Sequence, residues 1–133
     1  MMINTKIKEE IKKQARLELA RRDFFEYCKL TASDFYKEDR FFLKDMCNQL
    51  QGFYEGTKPE DKIMVMTLPP RHGKSRTAGK LTEWVFGKNN HEKVMTGSYN
   101  ENLSGTFAKS VRDTIASEKT EGIIVYNDIF PNT

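Results

Sequence analysis

The chain has 133 residues, with 22 Lys and Arg against 19 Asp and Glu for a net charge of +3. That length fits one domain and excludes a large multidomain enzyme. Its 38% hydrophobic and 31% charged residues lie on the polar side of the globular norms of about 45–50% (Gly included) and about 25%, so the fold is expected to have a thin core, while nine Phe and five Tyr exclude an aromatic-poor disordered chain.

The first segment, from Thr5 to about Thr31, contains no Gly or Pro, and Ile7, Ile11, Ala15, Leu19 with Ala20, Phe24 and Cys28 recur at helical intervals. This predicts one amphipathic helix, with Lys8, Lys12, Arg16 and Arg22 on its solvated face. A second helix is expected from about Glu38 to Tyr54, burying Phe42 or Leu43, Met46, Leu50 and Phe53 and ending at Gly52 and Gly56. Residues 1–56 thus form a helical segment, and 57–133 read as a second unit.

In that second unit, Ile63-Met64-Val65-Met66 is a short apolar run typical of a strand covered on both faces. Leu68 to Ser75 form a loop, Thr77 to Phe86 a helix stopped by Gly87, and Val94 to Gly97 a second strand. Ser98 to Glu101 offers a capping box with Ser98 at the cap, and Leu103, Phe107, Val111 and Ile115 mark the helix that follows. Ile123 to Tyr126 is either a third strand or an apolar segment before the Phe130-Pro131 stop. The expected fold class is therefore α/β, a partial P-loop NTPase with a parallel β-α-β-α sheet behind two N-terminal helices.

Cys28 and Cys47 lie in apolar contexts with no CxxC and no nearby His pair, as buried free thiols of a reducing compartment do. The N-terminus is charged from Lys6 to Lys13, and no stretch approaches the ~20 apolar residues of a membrane span. A cytoplasmic protein without a membrane partner is expected. Charge concentrates between Lys62 and Arg112, where nine basic residues face three acidic ones, a net +6, so an anion is expected to dock there.

The chemistry points to Leu68-Pro69-Pro70-Arg71-His72-Gly73-Lys74-Ser75. It fits the last three fixed positions of the phosphate loop G-x-x-x-x-G-K-[ST] and departs at the first, where Leu68 replaces Gly. Gly-Lys-Ser alone is weak evidence, but its place between a strand-like run and a helix start is where amides and a helix dipole converge on phosphate. Pro69 and Pro70 have no N–H and stiffen the approach, leaving the amides from Arg71 to Ser75 to wrap oxygens. Gly73 permits close approach, Lys74 reaches the β- and γ-phosphates, and Ser75 supplies a hydroxyl to Mg²⁺. The binding set is Pro70, Arg71, His72, Gly73, Lys74, Ser75 and Arg76, for ATP and Mg²⁺. Arg71 and Lys74 are the catalytic candidates; for Arg71 a phosphate contact, a sensor role and pairing with a carboxylate all stay open. His72 is read as shaping the loop.

The string Pro-Pro-Arg-His-Gly-Lys-Ser resembles the variant phosphate loop of large terminase subunits, the ATP-driven motors that package DNA into tailed-phage heads. The likeness extends to Phe41–Gln51, Lys62–Thr67, Thr96–Tyr99, Ala108–Ile115 and Ile129–Pro131. It implies that Arg71, Gly73, Lys74 and Ser75 carry ATP and Mg²⁺ and that Ser98-Tyr99-Asn100 lies at a second family motif. Phe41, Phe42 and Gln49 are candidates for recognising adenine. The resemblance also implies double-stranded DNA, a portal protein, the small terminase subunit and other terminase subunits as partners, in host cytoplasm.

Such a motor also needs four apolar residues followed by Asp-Glu to hold Mg²⁺ and orient water. No such string occurs; Ile123 to Asp128 is the nearest imitation and reads better as tail or loop. By the resemblance the chain is the front portion of the motor, ending before the Walker B acid and the nuclease domain, and it is expected to hold nucleotide with little or no hydrolysis alone. Two other readings compete. One is a phage-derived interaction module whose exposed partial-domain surface another protein recognises, with nucleotide secondary; the other is an unrelated phosphate-loop kinase or helicase piece, disfavoured by the Pro-Pro-Arg-His tetrad.

Overall fold

A computed structural model describes residues 2–56, 63–120 and 122–132. Where one long opening helix was expected there are two, α1 (Met2–Arg22) and α2 (Phe24–Thr31). Asp23 causes the break: its backbone is extended and its side chain accepts from the Glu26 N–H at 3.0 Å, capping α2, the work for which a short acceptor side chain is suited. Four helices follow among the described residues, α3 (Phe41–Glu55), α4 (Lys74–Lys88), α5 (Glu101–Ile115) and α6 (Tyr126–Ile129). Gly56 ends α3 in the left-handed region at φ 70°, with its N–H on the Gly52 and Phe53 carbonyls, a conformation that costs glycine least.

The core forms where α1, α2, α3, α4 and α6 meet. Trp84 of α4 is fully buried against Phe24 and Tyr54, and its indole N–H donates to the Ala20 carbonyl at 2.9 Å. Tyr27 donates to the Glu83 carboxylate at 2.7 Å, and Tyr126 donates to the Glu83 carbonyl at 2.8 Å. Tyr36 and Thr77 share a hydrogen bond of 2.8 Å. No buried side-chain polar atom among the described residues lacks a partner, so the polar groups that this aromatic core encloses escape the penalty of unpaired burial. Cys28 and Cys47 are buried free thiols, as the sequence predicts; burial pushes the Cys28 thiol well up, and the neighbouring Cys47 adds to the rise.

The expected parallel sheet is not formed among the described residues. The chain is mostly helical, and the only β-pairing among the described residues is an isolated antiparallel bridge between Thr120 and Ile123. An α/β P-loop architecture is thereby contradicted. A parallel strand needs ladder neighbours as well as covered faces, and neither apolar run has them. Ile63 and Val65 are each 84% exposed, and Met95 is 96% exposed. Ile123 goes into the bridge, and Tyr126 starts α6.

Two local expectations also change. Asn100, not Ser98, caps α5, since its side-chain oxygen accepts from the Leu103 N–H at 2.8 Å while the Ser98 hydroxyl donates to the Asn100 carbonyl. Ile7, Ile11, Ala15 and Leu19, placed by periodicity on a buried stripe, are exposed; burial along α1 begins only at Leu17 and Ala20. Among the described residues no helix is long and apolar enough to cross a membrane.

Candidate phosphate-binding loop

Residues 69–73 carry the chain from the half-seated segment 63–68 into the first turn of α4. Two left-handed residues, Arg71 at φ 66° and Gly73 at φ 83°, make the turn. A side chain at Gly73 would meet more than an unfavourable φ, because an added Cβ would lie 2.5 Å from the Phe35 ring. Glycine is required twice over, by conformation and by space. His72 Nδ1 lies 3.0 Å from the Pro70 carbonyl, and its ring centroid lies 6.0 Å from that of Phe42.

Gly73 is the N-cap of α4, and no side chain caps it. The Thr77 N–H is taken by the Gly73 carbonyl at 2.8 Å. The amides of Lys74, Ser75 and Arg76 are first-turn donors, which a helix leaves without internal acceptors. No acidic residue occupies that turn, so the positive end of the helix dipole faces no competing carboxylate from its own first turn. Lys74, Ser75 and Arg76 are all exposed. The full sequence-predicted set from Pro70 to Arg76 thus lies on one turn and one helix start, with donors of the type a phosphate group takes.

Two upstream residues join this set without any warning from sequence spacing. Phe35, beneath Gly73, has the guanidinium groups of both Arg40 and Arg76 at 5.1 Å from its ring centre, within cation–π range. Asp34 pairs with Arg76 at 3.4 Å. That pair is exposed on both sides, so it restrains Arg76 only weakly.

Beside the loop, a cleft of about 300 Å³ separates α3 from the segment that leads into it. Phe42, Asp45 and Gln49 line one wall and Met64, Met66 and Leu68 the other. Gln49 donates to Asp45 at 2.7 Å. Of the three adenine candidates, Phe42 and Gln49 therefore share a cleft next to the loop, whereas Phe41 is 76% exposed and does not line it.

Ser75 sits at the second position of α4, where its hydroxyl could join phosphate oxygens and waters around Mg²⁺, a cation that keeps several waters and seldom uses an all-protein cage. No cluster of three or more His, Cys, Asp or Glu suited to a metal occurs among the described residues. Among the described residues Glu83 is the one buried carboxylate, and burial raises its pKa. Eight residues along the same helix put it about 12 Å from Ser75, too far to share an ion. Asp128 is also otherwise engaged: it pairs with Lys119 at 2.6 Å and accepts from the Val125 N–H at 3.0 Å. The segment 123–128 accordingly ends in a bridge and a helical turn.

No protein-family model, curated protein or solved structure matches this chain, and the terminase resemblance stands on its own residues.

Proposed function

We propose that the chain is a nucleotide-holding portion of a DNA-packaging motor subunit, taking the phosphates of ATP-Mg on the 71–76 turn. The observation that carries this reading is the junction of Gly73 and α4: an uncapped, acid-free helix start follows a glycine locked under Phe35, and it bears the Pro-Pro-Arg-His-Gly-Lys-Ser string. In this reading the amides of Arg71 to Arg76 surround phosphate oxygens, Lys74 reaches the outer phosphates and Ser75 contributes its hydroxyl to Mg²⁺. Arg71 leans on the transferring group, and the Phe42–Gln49 cleft receives the base. Double-stranded DNA, portal protein, small subunit and neighbouring large subunits are the partners of the assembled motor.

With no free carboxylate beside Ser75 among the described residues, the chain alone binds without turnover. A fluorescent ATP analogue with Mg²⁺, titrated into the chain and its Lys74→Ala variant while phosphate release is followed, tests this. Binding that depends on Lys74 with no release supports it; release abolished by Lys74→Ala shows a catalytic acid elsewhere, and equal binding by both chains removes the loop from the function. A second reading, in which another protein recognises an exposed surface, draws support from the uncovered apolar side chains of Ile63, Val65 and Met95.

A further inference from the structure

Phe42, Asp45 and Gln49 are three and four residues apart on α3 and share the helix face that lines the cleft of about 300 Å³ beside the phosphate turn. Met64, Met66 and Leu68, all half-buried, make the facing wall. A slot with apolar walls takes a flat ring, and its few polar groups then fix which edge of the ring enters. On the α3 wall those groups are Asp45 and Gln49. Gln49 Nε2 donates to Asp45 Oδ2 at 2.7 Å, and a carboxylate only accepts, so the amide nitrogen is the atom that faces it. The second carboxylate oxygen, Oδ1, accepts from no group among the described residues, and no described Lys or Arg lines the cleft. The slot thus holds an unused, charged acceptor that calls for a donor on the ring.

The cleft continues from the phosphate turn. Leu68 adjoins Pro69, and the Phe42 and His72 rings meet edge-on. Asp45 lies about 4.5 Å along α3 from Phe42, so a base resting beside Phe42 brings its hydrogen-bonding edge within reach of Asp45. Resting on the nucleotide reading above, we propose that Asp45 reads the base: its Oδ1 accepts from the exocyclic amino group of a bound purine, while Gln49 holds the carboxylate in position. Neither helical spacing nor the terminase resemblance marks Asp45. A base with a carbonyl at that point sets two acceptors face to face and is disfavoured. Adenine and guanine both carry an amino group, and nucleotide pairs that differ by that group alone separate them.

The test is isothermal titration of the full chain with Mg²⁺ and four nucleotides, ATP against purine riboside triphosphate, which lacks only the 6-amino group, and GTP against ITP, which lacks only the 2-amino group. ATP is expected to bind about tenfold tighter than its amino-free partner, since a hydrogen bond to a charged acceptor is among the stronger ones. Asp45→Ala brings ATP down to the affinity of the amino-free nucleotide and leaves the latter unchanged; the side chain is exposed, so circular dichroism shows the helices intact. Asp45→Asn, whose amide oxygen still accepts, retains part of the preference. A preference within the GTP pair instead, erased by Asp45→Ala, supports Asp45 as the reader and makes guanine the base. Equal binding within both pairs overturns the inference, as does an Asp45→Ala loss that is the same for both members of a pair; if ATP binding still depends on Lys74, the phosphate reading stands. No saturable binding of any nucleotide by the parent overturns both.

Discussion

The two ends of α4 live in different surroundings. Toward its C-terminus, Glu83, Trp84 and Val85 are buried among aromatic rings with their polar atoms matched. At its N-terminus, Lys74, Ser75 and Arg76 are exposed, and the residues before them are held lightly, Gly73 against Phe35 and His72 against Phe42. One helix thus joins an anchored half to a presenting half. A rigid element that holds a polar loop in water is a common way to present binding groups, and the anchoring costs the site nothing because none of its side chains is spent on the core.

Breaking the anchored half has the largest expected effect. Trp84→Ala removes a fully buried ring and orphans the Ala20 carbonyl, at a cost of about 3–5 kcal/mol. With so thin a core, urea denaturation of this variant is expected to show little or no folded baseline. Next comes Gly87→Ala, whose Cβ would overlap the buried Phe130 ring; overpacking there costs about 1–3 kcal/mol, read as a lower urea midpoint with nucleotide binding retained.

A smaller effect tests the polar part of the anchor. Burial raises the Glu83 pKa above the ordinary 4.5, against the opposing pull of Lys80 and the Tyr27 hydrogen bond. The folded chain therefore holds that proton more tightly than the unfolded chain does, and the stability it contributes is complete below about pH 4.5 and is lost as pH rises through the folded value. The stability difference between the parent and Glu83→Gln should change across that window in this sense, measured by urea melts at a series of pH values, and level off above it. The smallest effect belongs outside the core: Ile7→Ser, at a side chain 51% exposed, should alter the urea midpoint by no more than about 0.5 kcal/mol. A cost above 1 kcal/mol would mean that the first half of α1 is covered.

The same contrast separates what the residues disclose from what they do not. The basic turn before α4 was legible because glycine and a basic pair are local signals, although the helix expected from Thr77 to Phe86 begins at Lys74 and runs through Gly87 to Lys88. So was most of the stripe Leu103, Phe107, Val111 and Ile115 of α5, in which Val111 is buried and Phe107 and Ile115 are half-buried, whereas Leu103 is exposed. The break at Asp23 was written in a capping side chain but outvoted by a periodicity running through it. The sheet was misread for a different reason: Ile63-Met64-Val65-Met66 records apolar character on both faces, but nothing in four residues says what lies beside them. Phe35 under Gly73 could not be found by spacing, since 38 positions separate them in the sequence and only packing joins them.

Amide hydrogen exchange with and without Mg-ATP tests the division of α4 most directly. Added protection confined to the amides of Arg71 to Arg76, absent in Lys74→Ala, with exchange around Trp84 unchanged, is the expected result. Protection at α1 or α5 instead, or none anywhere at saturating nucleotide, would contradict the phosphate role of this helix start.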